Sequence, residues 1–186
     1  MIRDWRPLVV EMIHLQQALS DADKERLWEY HLPRFAASEV TLARVERHLG
    51  FKLEPEYRSF LATADGWPWF SQSVSLFGSS ELLGGSALVS AHSMLDAAEP
   101  YIESRCGFRR NCVFPIAASL RDRDIFFMQI TAGNLLPPIV WLAGEEVDRY
   151  VSFSEFFASM IEYSKLDLKA MSTIAPLPGS NRSRTD

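Results

Sequence analysis

The side chains best suited to acid–base chemistry are four histidines, His14, His31, His48 and His92. None lies in a His-Glu-x-x-His motif or in a Cys and His spacing that binds zinc, so no metal site is expected. His92 and Asp96 are four residues apart and would share one face of a helix, as the dyad of a hydrolase could. This pair is the one enzymatic hypothesis that the sequence offers, and it requires no cofactor.

Other short motifs for catalysis or nucleotide binding are incomplete. The Gly-Gly-Ser-Ala stretch at residues 84–87 lacks the second flanking glycine of a nucleophile elbow. No glycine-rich loop ends in Gly-Lys-Ser or Gly-Lys-Thr, as a phosphate-binding loop would. Asp122 and Asp124 alternate with Arg121 and Arg123, which is typical of a solvated hairpin turn rather than of a catalytic carboxylate pair. The sequence therefore favours a protein that is not an enzyme.

One feature that suits binding is the aromatic run Trp67, Trp69 and Phe70 around Pro68. Such rings usually fill the core of a protein. If Trp67 or Trp69 is exposed, however, that ring would be a natural anchor in an interface with another protein.

A second feature that suits binding is the uneven distribution of charge. Acidic residues occur in residues 71–100, which contain no Lys or Arg, and in residues 145–148, whereas residues 101–123 are basic. The acidic residues concerned are Glu81, Asp96, Glu99, Glu145, Glu146 and Asp148. One interpretation is ordinary solvation of the surface. The sharper one is that the acidic loops converge into a patch that binds a cationic partner.

The composition limits the class of protein. The chain has 186 residues, 47% hydrophobic and 12% aromatic, which is enough to bury a core without a disulfide or a metal. A formal net charge of −5 argues against a general nucleic-acid binder, because phosphate contacts need clustered Lys and Arg. Cys106 and Cys112 form no Cys-x-x-Cys motif and are expected to be reduced thiols in the cytoplasm.

Residues 125–144 contain no ionisable group and have the length of a membrane-spanning helix. Gly133-Asn134 and Pro137-Pro138 interrupt this stretch, which favours two buried strands joined by a turn. The first residues also lack the apolar run of a signal peptide. We therefore expect a cytoplasmic protein that does not span a membrane.

Hydrophobic periodicity predicts helices in the first third of the chain. The four predicted helices cover residues 7–19, 22–32, 39–49 and 55–64. Ser38 and Gly50 are expected to cap the third helix at its two ends. Pro55 is expected to open the fourth helix, and Asp65-Gly66 to end it.

Strand patterns follow in the second half of the chain. Residues 74–77 and 87–89 are expected to be strands or loop, and residues 92–105 a helix that Pro100 interrupts. Stronger strand candidates cover residues 112–117, 125–130 and 139–143. A capping box at residues 152–155 then opens a last helix. Helices first and strands after predict an α+β fold with a mainly antiparallel sheet flanked by helices.

The stretch from Ser38 to Trp67 resembles the SUKH superfamily, which is named in part for a fungal cell-wall regulator. Its pattern is a Glu before Leu-Gly, then a Leu, a Tyr and a Phe-Leu. Here the pattern is carried by Glu46, Leu49, Gly50, Leu53, Tyr57, Phe60 and Leu61. The resemblance continues more faintly to about residue 165. Glu54 stands where the family usually has Pro, Asp65 replaces the usual Asn, and residues 121–124 replace a Gly-Asp pattern.

The resemblance implies a domain organisation. Residues 1–37 are a helical N-terminal extension, residues 38–168 a SUKH-like α+β domain, and residues 169–186 a flexible C-terminal tail. The pattern residues are suited to packing and capping, and they form no reactive cluster.

The resemblance also implies association as the function. Bacterial members of the superfamily are typically immunity proteins that neutralise a toxin encoded next to them, often a nuclease, in competition between bacteria. Fungal members look like regulatory interaction modules. We expect an immunity protein that blocks a cognate toxin through the six acidic residues above, with Trp67 or Trp69 as anchors. The alternative is a non-catalytic scaffold that binds a self protein, and the oligomeric state stays open.

Overall fold

The fold was analysed in a computed structural model, which describes residues 3–130 and 137–173. The α-helices are α1 (Arg6–Ala22), α2 (Glu39–Leu49), α3 (Pro55–Leu61), α4 (Ser79–Leu82), α5 (Ser86–Ala97), α6 (Glu99–Tyr101) and α7 (Phe153–Thr173). The strands are β1 (Trp67–Ser71), β2 (Val74–Leu76), β3 (Val113–Ser119), β4 (Asp124–Gln129), β5 (Ile139–Ala143) and β6 (Glu146–Tyr150). A π-helical turn (Ile102–Cys106) and a 3₁₀ turn (Arg110–Cys112) connect α6 to β3.

The described strands form one antiparallel sheet in the order β1-β2-β3-β4-β5-β6, so each strand pairs with its neighbours in sequence. Helices cover both faces of this sheet. Phe126 contacts Phe156 of α7, whereas the next residue, Phe127, contacts Phe108 on the α5 side. Successive side chains of a strand point to opposite faces of the sheet. Because helices or loops cover both faces here, Phe126 and Phe127 are both buried although they are adjacent in sequence. The predicted α+β fold with helices flanking an antiparallel sheet is confirmed.

Capping residues explain why α2 and α3 begin where the sequence predicts. Ser38 Oγ accepts a hydrogen bond from a backbone N–H of the first turn of α2 at 3.1 Å, and Gly50 ends this helix with a φ of 76°. Pro55 opens α3, and the Glu54 carboxylate accepts hydrogen bonds from two backbone N–H groups of that helix at 3.0 and 2.7 Å. Glu54 thus serves as a cap where the family usually has Pro.

The predicted helix over residues 22–32 is wrong, because this segment is a loop. α1 continues to Ala22, and the chain then folds around the buried carboxylate of Asp23. This carboxylate accepts hydrogen bonds from the backbone N–H groups of Leu27 and Trp28, both at 3.0 Å. A side chain that binds nearby backbone groups competes with helical hydrogen bonds. The acidic pattern that suggests a helix start therefore stabilises a loop.

Other element boundaries also differ from the predictions. α3 ends at Leu61 rather than at residues 65–66, and residues 87–89 lie inside α5 rather than in a strand or loop. Residues 145–148 do not simply follow a strand, because Glu146 begins β6 and pairs with β5. Acidic residues are uncommon in strands, which is why the pattern gave no signal for β6. The expected turn at residues 133–134 lies outside the described residues.

The first helix is part of the main core. α1 packs along α7, and the Trp5 ring at the start of α1 is fully buried. Its ring centroid lies 5.7, 5.3 and 5.7 Å from those of Phe60, Phe153 and Phe157. Residues 1–37 had been expected to form an extension, yet the described part of that segment supplies a central aromatic ring. At the other end, α7 continues to Thr173, past the expected start of the tail at residue 169.

We predict that Trp5→Ala lowers the free energy of unfolding by about 3–5 kcal/mol, because it leaves a cavity among three aromatic rings. Trp5→Phe should cost less, since the indole Nε1 has no hydrogen-bond partner among the described residues. Urea denaturation followed by circular dichroism measures both changes. The control Val10→Ala, on the exposed side of the same helix, should cost less than about 0.5 kcal/mol. Equal losses for Trp5→Ala and Val10→Ala would contradict a central role for this ring.

Candidate functional site

The predicted acidic residues do not form a single patch, and Glu81 is the clearest exception. Arg34 donates two hydrogen bonds to its carboxylate at 2.7 and 2.8 Å, and the Gly78 N–H donates a third at 2.9 Å. Burial acts to raise the pKa of Glu81, but these donors hold it below its usual value. The carboxylate is therefore neutralised within the fold, where it fixes the start of α4.

The two predicted tryptophan anchors differ in exposure. Trp67 is fully buried, and its indole Nε1 donates to the His31 carbonyl oxygen at 2.7 Å. The prediction that Trp67 could be an interface anchor is wrong, because exposing it would break the core. Trp69 is partly exposed, and the Arg121 guanidinium lies over its ring at 4.4 Å. Trp69 alone stays available as an anchor.

Three of the predicted acidic residues lie in the β5–β6 hairpin, namely Glu145, Glu146 and Asp148, and a fourth, Glu99, begins the neighbouring α6. The Tyr101 hydroxyl accepts a hydrogen bond from the Glu146 N–H at 3.0 Å and so holds α6 against this hairpin. Glu99 begins α6, and Glu145 lies in the turn of the hairpin; both are exposed. Among the described residues neither Glu99 nor Glu145 has an ion-pair partner.

The remaining acidic residues are bound to neighbouring side chains. Arg149 donates to both carboxylate oxygens of Glu146 at 2.8 and 2.7 Å, which lowers the pKa of that carboxyl group. Asp148 accepts a hydrogen bond from the Tyr163 hydroxyl at 3.0 Å. Glu146 and Asp148 thus form contacts within the fold. Glu99 and Glu145 are the carboxylates of this region that have no ion-pair partner among the described residues.

An apolar groove lies beside these two carboxylates, on the face of the sheet that α5 covers. Its volume is about 460 Å³. The groove is lined by Met94, Ala97, Ala98, Tyr101, Arg123, Ile125, Leu142 and Gly144, of which only Arg123 is charged. We call it the hairpin groove. An apolar channel with carboxylates at its edge can hold an apolar side chain and attract basic residues around it.

The His92 and Asp96 pair does not form a catalytic dyad, because Arg110 lies between them. Arg110 Nε donates to the Asp96 carboxylate at 2.8 Å, and its Nη2 lies 3.0 Å from His92 Nδ1. Burial, together with the charge of Arg110, lowers the pKa of His92. The imidazole is therefore kept neutral as a hydrogen-bond acceptor for Arg110, which suits a structural role.

Other potential catalytic groups are also engaged in the fold. Asp122 lies in the β3–β4 turn, as predicted, and accepts from Ser73 Oγ at 2.5 Å, whereas Asp124 accepts from Trp141 Nε1 at 2.7 Å. Burial and the nearby Glu146 raise the pKa of the Cys106 thiol to about 11, which keeps it protonated and weakly nucleophilic. Within residues 3–130 and 137–173, no cluster of three or more His, Cys, Asp or Glu side chains could hold a metal ion.

A second cleft was not foreseen from the sequence. It lies between α1, β1 and α7 and has a volume of about 220 Å³. Gln16, Trp28, Trp69 and Asp167 all line it, although they are far apart in the chain. No short motif links such residues, so only the packing of α1 on α7 reveals the cleft.

The fold and these sites define a helix-covered antiparallel sheet with clefts suited to binding. A family model described as SMI1 / KNR4 family (SUKH-1) matches residues 36–159, about two thirds of the chain. The chain therefore belongs to this family, and the resemblance seen in the sequence is confirmed. Proteins with SUKH domains are generally non-catalytic immunity or regulatory modules. A comparison with individual curated proteins found no match. Among the described helices, none has the length and apolar character needed to cross a membrane.

We predict that His92 contributes to a loss of stability on acidification. Its pKa is lower in the folded protein than in the unfolded chain, so below about pH 6.5 the unfolded state binds more protons and gains stability. His92→Gln should therefore reduce the difference between the free energies of unfolding at pH 7 and pH 5. Urea denaturation at the two pH values measures this difference. His14→Gln, which changes an exposed residue of α1, should leave it unchanged, and a similar effect from both variants would argue against this origin.

Proposed function

We propose that this chain is an immunity protein that binds a bacterial toxin through the hairpin groove and blocks the toxin's active site. Membership of the SUKH-1 family supports a role in association. The observation that carries the proposal is an apolar groove whose lining includes Ala98 and Gly144. Each of these is followed in sequence by an exposed carboxylate, Glu99 or Glu145, that has no ion-pair partner among the described residues. The proposed place of action is the cytoplasm, where a toxin would meet its target.

The chemistry of the groove favours a partner with a basic surface. A nuclease must bind phosphates, so its substrate groove carries clustered Lys and Arg residues. In the complex, the carboxylates of Glu99 and Glu145 would take the positions that the phosphates of the nucleic acid occupy in the substrate groove of the toxin. The apolar floor around Tyr101 and Leu142 would bury an apolar side chain of the toxin and exclude water around the ion pairs. Inhibition then follows from occlusion, without any reaction on this chain.

Co-expression tests the proposal directly. Each open reading frame adjacent to this gene is expressed in a sensitive host with and without this chain, and growth and co-purification are scored. Toxicity of one neighbour, rescue by this chain and a co-purifying complex would support an immunity function. A non-toxic neighbour or self protein that co-purifies would instead support the regulatory scaffold function.

We predict that reversing the charge of the groove slows binding to the cognate toxin. The double variant Glu99→Lys and Glu145→Lys should lower the association rate about tenfold or more at low salt and weaken its dependence on salt. Stopped-flow or surface-plasmon measurements at several salt concentrations give both quantities.

The matched control is the double variant Asp21→Lys and Glu25→Lys, which changes the net charge equally at two exposed carboxylates outside the groove that likewise have no ion-pair partner among the described residues. It should slow association much less. If both double variants behave alike, net charge alone governs the encounter and the hairpin groove is not the binding site.

A further inference from the structure

The cleft between α1, β1 and α7, here called the tryptophan cleft, has the features of a second binding site. It lies on the face of the sheet opposite to the hairpin groove and next to the edge strand β1. Its walls combine four aromatic residues, Trp28, Tyr30, Trp69 and Phe70, with polar groups from two helices. The residues that matter are Trp28, Tyr30, Trp69, Gln16 and Asp167.

Gln16 provides an unsatisfied hydrogen-bond acceptor in this cleft. The residue is 6% exposed, and its Nε2 donates to the carbonyl oxygens of Trp69 and Phe70 at 3.2 and 2.6 Å. These two bonds fix the orientation of the amide and leave Oε1 buried without a partner in the part of the chain that the structure describes. A buried acceptor of this kind is unfavourable until a donor reaches it. In the structure, the two bonds that Gln16 donates hold the backbone of Trp69 and Phe70 against α1.

The charge of the cleft favours a cation. Asp167 brings a carboxylate to its wall, and Gln72 Nε2 donates to only one of the two carboxylate oxygens, at 3.2 Å. Burial, with the nearby Asp23 and Asp167, raises the pKa of Tyr30 to about 12, so its phenol stays neutral. None of the described residues that line the cleft is Lys or Arg. The guanidinium of Arg121 lies close by, 4.4 Å from the centroid of the Trp69 ring.

The aromatic walls suit a cation on an alkyl chain. Trp69 has a φ of 52°, a left-handed conformation that is unfavourable for a residue other than glycine. Ser75 Oγ accepts from the Trp69 N–H at 3.1 Å and supports this conformation at the irregular point of β1. As a result, the Trp69 ring reaches the cleft while Trp67 and Phe70 are buried. The guanidinium of Arg121 over the same ring shows that this indole accepts a cation.

We propose that the tryptophan cleft binds the side chain of a Lys or Arg residue presented by a protein partner. The ammonium or guanidinium group pairs with the carboxylate of Asp167 at the wall of the cleft. The methylene groups of the same side chain pack against Trp28 and Trp69. This site goes beyond the proposed toxin contact and does not depend on it, because the two sites lie on opposite faces of the sheet.

Nuclear magnetic resonance of the ¹⁵N-labelled full chain tests the proposal without a known partner. The probes are N-acetyl-arginine methylamide and N-acetyl-lysine methylamide, and the indole N–H signals report binding. The signals of Trp28 and Trp69 should shift saturably, whereas that of Trp141, which is hydrogen-bonded to Asp124 outside the cleft, should not. The uncharged N-acetyl-citrulline methylamide should bind about tenfold or more weakly, because it lacks the charge.

Two variants test whether the negative charge of Asp167 contributes to binding of the cationic probes. Asp167→Asn keeps the shape of a partly exposed side chain and should weaken binding of the cationic probes about fivefold to tenfold. Glu162→Gln, on the same helix but outside the cleft, should leave binding unchanged. Equal effects of these variants would overturn the role of Asp167.

Two further outcomes would overturn the proposal itself. Absence of any saturable shift at Trp28 and Trp69 would exclude a basic side chain as the ligand. Putrescine binding more tightly than both capped amino acids would assign the cleft to a free polyamine rather than to a protein side chain. Neither outcome depends on the toxin experiment. The proposed toxin contact and the proposed tryptophan cleft site are therefore tested independently.

Discussion

Packing of the phenylalanines of α7 against four other elements is the interaction on which the rest of the fold depends. Phe153, Phe156 and Phe157 share one face of the helix, because they follow a spacing of three and four residues. Their rings contact Trp5 of α1, Phe60 of α3, Phe70 of β1 and Phe126 of β4 at centroid distances between 5.2 and 6.1 Å. Helix α7 is thereby fixed against the sheet and against α1. Both clefts lie at the margins of the layers that this packing aligns.

The family match and the packing divide the molecule differently. The match covers residues 36–159, so α1 and the second half of α7 lie outside it, yet these two helices pack on each other. The hairpin groove is built from residues inside the match. The tryptophan cleft takes Gln16, Trp28, Tyr30 and Asp167 from outside it. The two sites therefore differ in their relation to the match: the hairpin groove lies within it, whereas the tryptophan cleft needs α1, which lies outside it.

Local signals predict the elements that local interactions stabilise. Capping by Ser38 and Gly50 and the phenylalanine spacing of α7 identify helices correctly, and the apolar runs identify β3, β4 and β5. The loop after α1 and strand β6 were missed because a carboxylate replaces helical hydrogen bonds at Asp23 and because β6 depends on pairing with β5. The candidate sites were predicted in part. The charge pattern singled out residues 145–148 but not the hairpin that carries them, and a partner such as Arg34, which pairs with Glu81, comes from a distant segment.

Those partners determine where a basic surface can bind. Glu81, Asp96 and Glu146 are as acidic in sequence as Glu99 and Glu145, but each is paired with an arginine. The arginines are Arg34, Arg110 and Arg149. A paired carboxylate attracts a further cation only weakly, since its field is already compensated at close range. A net charge of −5 therefore acts on a partner through the few carboxylates that the fold leaves unpaired. Attraction at the hairpin is set by which arginines the fold places beside it, rather than by the density of acidic residues in the chain.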